Sequence, residues 1–522
     1  MGNGVPGANF SQSGEQSAVS PVAAKTQNFW RSLNLQKITW ALFLLVLPVT
    51  SFPYFPASLG GKTSVRPLSV YPLLILLVLV TLPRLLKKPL PKTFLPLFAF
   101  IVVGLMSSIL ALSYGLEPLR GVTAASRLLR SLVTLGIGSA IYLTVALVPR
   151  SWEELRSSLR WLYAGFGLAL FWGSIQAVNI FVYSPRYFYW LNWIQRFIST
   201  RKLFSRRISG LTYEPKWFAE QICFLLLPWL LGSVLTRTSI FQWRFPNKRL
   251  RWITVECVLL AWASVILVFT YSRAGLFILV LAFFLSVLFF KPFPKNPTGN
   301  IVVENFNQTE APQPSPPRKR IAPRRLAEAM IAVQMLVLLI YLAGTQNNYF
   351  ARLWTFWTTE DSGVENYLEY IAFQQRFVYA ETALRIFEAY PVLGVGVGNY
   401  AFYFDAMLPD RPWNHQPDIL RQLTPVEGQN QLITPKNLFA KILAETGMLG
   451  ISTFLAFVVA VLGCVLYLWL GNSPEEKFWG ISGLFGLIIF FIVAFSFDSF
   501  AIPNMWVVFG LITAATLVPR VE

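Results

Sequence analysis

WITVECVLLAWASVILVFTYSRAGLFILVLAFFLSVLFF, residues 252–290, is the stretch whose reading decides the fold. It holds two apolar runs, Trp252–Thr270 and Ala274–Phe290, parted only by Tyr271, Ser272 and Arg273. Each run approaches the ~20 residues that a helix needs to cross a ~30 Å hydrocarbon core. Lipid offers no partner to a backbone N–H or C=O, so such runs form helices. The reading is a hairpin of membrane helices with an arginine at its tip.

The same pattern recurs along the chain, in Tyr71–Leu82, Phe94–Ala111 and Ile451–Leu470 among others. Of the 522 residues, 55% are hydrophobic and only 13% charged, about half the charge of a soluble domain. The fold class is therefore all-α: a polytopic integral membrane protein with about twelve transmembrane helices and one large extracytoplasmic loop that itself contains helices. The spans fall at roughly 38–56, 68–85, 94–113, 128–148, 160–183, 215–235, 252–270, 273–290, 327–345, 446–470, 478–497 and 501–518. Residues 1–29 read as a disordered tail, 30–345 as spans one to nine, 346–445 as the large periplasmic loop and 446–522 as the last three spans.

Forty-four Lys and Arg against 25 Asp and Glu give a net charge of +19. The basic residues lie mostly between spans, so they read as orientation signals rather than a nucleic-acid surface. Arg84, Lys87, Lys88 and Lys92, then Arg237, Arg244 and Lys248, then the Pro-rich linker 291–326 all fall on one side. That side is cytoplasmic by the positive-inside rule, and both termini lie there. The expected location is a membrane crossed many times, with the large loop on its outer side. Residues 184–214, SPRYFYWLNWIQRFISTRKLFSRRISGLTYE, put arginines on the other side and read as a helix lying in the interface. Cys223, Cys257 and Cys464 sit in apolar runs and read as core residues, and the single histidine, His415, excludes a multi-histidine metal centre.

The candidate chemistry gathers at the outer ends. In the large loop, Phe377, Ala380, Ala383, Leu384 and Phe387 recur at helical spacing, which predicts an amphipathic helix over 368–389 stopped by Pro391. Arg385 has Glu381 one turn before it and reads as an ion pair, whereas Arg376 has no local acid and is a candidate anion ligand. Gly394-Val-Gly-Val-Gly398 lacks a β-α-β setting, so it reads as a tight turn returning the chain to the membrane surface. Thr434 and Pro435 are placed to start the next helix, with Lys436 and Asn437 at its N-terminus and Glu445 paired with Lys441. Gly447 and Gly450 allow close helix packing. Arg273 lies at the membrane boundary, where a charge is functional by default, and Arg127 and Arg130 are similar. Asp498 is a candidate partner for one of them. Arg207, Arg273 and Arg376 together would recognise phosphate, because guanidinium donors match its oxygens in paired geometry.

Four segments, RISGLTYEPKWFAEQ (207–221), TYSRAGLFILVLA (270–282), RFVYAETALRIFEAYPVLGVGVGNYAFY (376–403) and KNLFAKILAETGMLGISTFL (436–455), occur in an order and span pattern that resembles the O-antigen ligase and O-antigen polymerase superfamily. The resemblance covers roughly residues 70–518, with a core at about 205–470. It implies a membrane glycosyltransferase of polysaccharide or lipopolysaccharide biosynthesis. The donor would be a polyprenyl-pyrophosphate-linked glycan and the acceptor a lipid or another glycan, among membrane lipids and with no metal, cofactor or nucleic acid. Arg273 and Arg376 would hold the pyrophosphate, with Arg207 assisting and Arg206 and Arg130 as further substrate contacts. Ligases carry His-Asn where this chain has Lys436-Asn437, and a lysine at its usual pKa is a poor base. His415 and Glu214 are then the alternative bases. Competing readings are a transporter of a small anion such as bicarbonate, and a non-catalytic member.

Overall fold

A computed structural model describes, in the main, residues 35–54, 64–87, 90–241, 253–289, 363–370, 373–410 and 432–519, with short pieces between 334 and 358 and around 419–424. The tail, the linker 291–326, His415 and most of the ninth expected span lie outside the described residues.

Among the described residues the fold is helical, and the only β-type contacts are two isolated bridges. Seven helices among the described residues are long and apolar enough to cross a membrane. They are α2 (Val70–Lys87), α3 (Phe94–Leu112), α4 (Ala124–Leu147), α5 (Trp152–Phe181), α7 (Pro215–Thr236), α12 (Leu438–Trp469) and α13 (Pro474–Val493). Four shorter apolar helices join them: α1 (Leu35–Leu45), α8 (Val255–Phe269), α9 (Arg273–Phe289) and α14 (Asn504–Thr516). The helix α6 (Pro185–Ile198) follows α5, with Ser184 as its N-cap and Pro185 at its first turn. Tyr189, Trp190, Trp193 and Phe197 stay exposed along it while Leu191 and Gln195 are buried, a two-faced pattern suited to an interface.

The order of packing is set by which faces are apolar all round. α7 is almost wholly buried and sits against α13 and α8; α12 packs on α3 and α13, and α4 on α14. Polar side chains inside the bundle meet one another across helices, as apolar surroundings require. Trp40 Nε1 donates to Ser158 Oγ at 2.9 Å, Thr81 and Thr144 hydroxyls lie 2.9 Å apart, and the Tyr142 hydroxyl lies 2.6 Å from that of Thr93 and 3.1 Å from that of Thr513. Pro83 and Pro228 lack an amide proton and lie just beyond two π-helical turns, Leu77–Thr81 in α2 and Ile222–Leu226 in α7.

Three expectations of local structure are corrected. The helix expected over 368–389 is two pieces, α10 (Val364–Tyr370) and α11 (Gln374–Ala389). Its core face is Val378, Tyr379, Thr382, Ala383 and Ile386, while Phe377 and Leu384 are exposed. Finally, α12 is capped by Asn437 rather than Thr434, because the Asn437 carboxamide oxygen accepts from the N–H groups of Phe439 and Ala440 at 3.0 and 3.1 Å.

Close backbone approach requires glycine at two places. Gly447 interrupts α12 at φ 62°, ψ −159°, and a Cβ there would lie 2.5 Å from the carbonyl carbon of Val392. Gly394, at φ 66°, would place a Cβ 2.5 Å from the Ala444 carbonyl oxygen. The turn 391–399 therefore docks edge-on against the break: Val395 N–H bonds Ala444 O at 3.1 Å, Gly396 N–H bonds Glu445 O at 2.9 Å, and Met448 N–H bonds Pro391 O at 2.8 Å. Residues 394–401 are buried. The glycine run is a turn, as its spacing predicts, but one inserted into the bundle rather than lying on its surface.

Candidate functional site

One end of the bundle collects the charged residues that the helices carry into apolar surroundings. The construction begins on α5. Gln176 Oε1 accepts from the N–H groups of Ser209 and Gly210, its Nε2 donates to Gly210 O at 3.0 Å, and Asn179 Nδ2 donates to Ser205 O at 2.8 Å. These bonds hold the segment 205–210 against the bundle. Ile208 N–H then meets Phe269 O at 3.1 Å, and Arg207 Nε donates to Thr270 O at 3.0 Å. Arg207 is thus tied to the turn that carries Arg273. Arg206, beside it, is exposed.

That turn is shaped by Tyr271, at φ 49°, and by Ser272, whose hydroxyl accepts from Gly275 N–H at 3.4 Å. Arg273 follows as the first residue of α9, half-buried. Arg376 stands in the first turn of α11 with its guanidinium 5.9 Å from the Phe373 ring centroid. Burial lowers the pKa of this guanidinium from its usual value; Arg273 adds to the lowering, while Glu220 and Asp498 oppose it. Arginine keeps its charge through such a shift. Arg273, Glu220 and Asp498 thus lie within electrostatic reach of it.

The organising element is the turn 494–498, between α13 and α14. Arg376 Nη1 donates to Phe495 O at 3.5 Å. Lys216 Nζ donates to Ser496 O at 2.5 Å, and Lys441 Nζ to Asp498 O at 2.9 Å. Lys436, held at φ 52°, directs its N–H to Asp498 Oδ2 at 2.8 Å and its ammonium over the Tyr379 ring at 5.1 Å. Leu438 N–H bonds Ala494 O at 2.8 Å, fixing the start of α12 to the same turn. Asp498 also lies within electrostatic reach of Arg127, whose Nε donates to Gly398 O at 3.2 Å.

Arg207, Arg273, Arg376 and Lys436, read from separate stretches of sequence, therefore meet at one end of the bundle. Asn437 is occupied in capping α12. Glu214 is drawn into an ion pair with Arg201 at 3.1 Å, which is also stacked near Tyr213 and Phe204. Arg130 is exposed on α4 beside Arg127. Lys441 lies within electrostatic reach of Glu445, but its hydrogen bond goes to the Asp498 carbonyl. Arg385 and Glu381 form the expected pair at 3.7 Å.

Two site residues escaped the sequence reading. Glu220, 4% exposed, sits in the first turns of α7, pairs with Lys216 at 3.3 Å and accepts from Ser496 Oγ at 3.2 Å. The signal was present: a lysine and a glutamate four residues apart at the head of an otherwise apolar run.

In chemical terms the site is a cluster of cations, Arg207, Lys216, Arg273, Arg376, Lys436 and Lys441, around two carboxylates, Glu220 and Asp498. It suits a multiply charged anion carried at the end of an apolar chain. Residues 258–455 match the family model described as O-antigen ligase. No curated protein matches the chain. The match bears out, over that segment, the resemblance read from the motifs, and the long apolar helices fit a multi-pass membrane protein. The matched segment contains Arg273, Arg376, Lys436 and Asn437; Arg207 and Glu214 precede it and Asp498 follows it.

Proposed function

We propose that the chain transfers a glycan from a polyprenyl pyrophosphate to a lipid or glycan acceptor at the outer face of the inner membrane. The observation that carries this reading is the convergence of Arg376, Lys216, Lys436 and Lys441 on the single turn 494–498, with Arg273 within electrostatic reach of Arg376. The opposite end of the bundle carries Arg84, Lys87, Lys92, Arg150, Arg156 and Arg237, which favours a cytoplasmic location for that end and an outward one for the cluster.

In the reaction, the bond from the anomeric carbon to the phosphate oxygen breaks and the electron pair leaves with the polyprenyl pyrophosphate. The acceptor hydroxyl oxygen forms the new bond to that carbon and loses its proton. Arg273 and Arg376 meet the developing charge on the leaving group, with Arg207 fixing the turn that holds Arg273. Donors set in place before the reaction are worth several kcal/mol at such a position. Lys436, its ammonium over an aromatic face, serves as a further cation rather than a base. Asp498, half-buried at the centre of the cluster, takes the proton.

The test is the surface glycan of a producing strain carrying Arg273→Ala or Arg376→Ala, with the protein level measured in parallel. Loss of product at unchanged protein level is expected. Normal glycan in both strains overturns the reading.

A further inference from the structure

A second feature of the same end of the bundle lies outside the cation cluster. A cleft of about 280 Å³ opens between the tight turn Leu119–Val122 and the loop that follows α11. Its walls include Leu119, Arg120, Ala401, Phe404, Asp405 and Ile433. The volume is near the small end of ligand sites, which begin at roughly 300 Å³.

The turn that carries Arg120 is a strained one. Leu119 and Val122 exchange backbone bonds of 3.0 Å in both directions, and Arg120 between them is held at φ 52°. A non-glycine residue enters that region only at a cost in backbone strain. Arg120 Nη2 reaches across the mouth of the cleft to Thr424 O at 3.4 Å. Asp405 is exposed on the other wall. Among its described lining residues the cleft bears one guanidinium and one carboxylate, which disfavours an anion through Asp405 and a cation through Arg120. Its floor of Phe404, Ala401 and Ile433 is apolar. A neutral ring with a C–H face and a rim of hydroxyls matches all three features: the face lies on the apolar floor, and the hydroxyls donate to the carboxylate and accept from the guanidinium. That ligand is a sugar.

The position is as informative as the lining. The Phe404 ring packs on Tyr379 at 5.9 Å, and the Lys436 ammonium lies 5.1 Å from the Tyr379 ring centroid. Ile433 stands three residues before Lys436. Cleft and cation cluster thus flank the Tyr379–Lys436 contact from two sides. In glycan transfer the attacking hydroxyl must reach the anomeric carbon without crossing the leaving pyrophosphate, so the two substrates need separate berths that open on a shared point. We infer that this cleft holds the terminal sugar of the acceptor, with Arg120 and Asp405 as its specificity-determining contacts. The inference rests on the transfer reading above for the word acceptor, and on the cleft alone for the word sugar.

The test uses the full-length protein in detergent and two probes: a panel of neutral oligosaccharides of glucose, galactose, rhamnose and N-acetylglucosamine, and farnesyl pyrophosphate. The variants are Asp405→Asn and Arg120→Gln, both at accessible positions outside the packed core. Binding of at least one oligosaccharide, weakened about tenfold or more in both variants while farnesyl pyrophosphate binds as before, is the expected result. Absence of oligosaccharide binding, or binding that neither variant alters, overturns the inference and leaves the pyrophosphate reading standing. Oligosaccharide binding that depends on the cleft, in a protein that does not bind farnesyl pyrophosphate, overturns the acceptor role together with the transfer reading and keeps the sugar site.

Discussion

The backbone N–H of Lys436 donates to Oδ2 of Asp498 at 2.8 Å, across 62 residues of sequence. This bond ties the entrance of α12 to the turn between α13 and α14. It also sets the departure from the ligase pattern in a physical context. Where the histidine of the resemblance would stand, the chain places a lysine whose ammonium faces Tyr379, and it brings a carboxylate to the lysine's own backbone.

Asp498→Asn is expected to separate the two roles of that carboxylate. The amide oxygen still accepts the Lys436 N–H, so thermal unfolding of the detergent-solubilised protein should be little changed. A carboxamide takes no proton, so glycan transfer should fall about 100-fold, the usual scale for a lost general base. Asp498→Ala removes the acceptor as well, and should add about 1 kcal/mol of destabilisation at this half-buried position. Full activity in Asp498→Asn would remove the proton-acceptor role.

Gly447→Ala tests the docking of the glycine turn. Its backbone lies where only glycine is comfortable, a strain of about 1–3 kcal/mol for alanine before any clash with Val392. Because the break in α12 presents the carbonyls of Ala444 and Glu445 to Val395 and Gly396, the variant should melt lower and lose activity together. Gly463→Ala, with open space at its Cβ position, is the control expected to behave as the parent. An unchanged melting curve for Gly447→Ala would contradict the account of the turn.

Orientation is tested by placing cysteines at opposite ends of the bundle in a background lacking Cys223, Cys257 and Cys464. Glu388→Cys lies on the exposed side of α11, at the cluster end, and Asn472→Cys lies in the connection between α12 and α13. A membrane-impermeant maleimide added to spheroplasts should label the first and spare the second. The reverse pattern would put the cluster in the cytosol, where the proposed donor does not present its glycan.

What could be read from sequence follows a physical division. Apolar runs are a local property, so α2 to α5, α7 to α9 and α12 to α14 stand close to expected spans. The arginines were legible because a charge beside a long apolar run is conspicuous. The face of α11 was not, because two apolar stripes compete on it. Val378, Tyr379 and Ile386 are buried in one cluster with the Tyr400–Phe404 segment, a neighbour that follows the glycine turn, which leaves Phe377 and Leu384 exposed. The cap of α12 went to Asn437 rather than Thr434 because Lys436 turns left-handed to reach Asp498, a partner distant in sequence. Glu220 shows a local signal in Lys216, but its place in the candidate site depends on Ser496 and Arg376, which are distant in sequence and brought near by tertiary packing.

The most direct measurement is the affinity of the purified full-length protein for farnesyl pyrophosphate. Arg273→Ala and Arg376→Ala should each weaken binding about tenfold or more, equivalent to about 1.4 kcal/mol, while Arg385→Ala, which removes the pair with Glu381 and a bond to the Leu408 carbonyl, leaves it unchanged. Equal affinity in the parent, Arg273→Ala and Arg376→Ala would contradict the claim that these guanidinium groups form one pyrophosphate site.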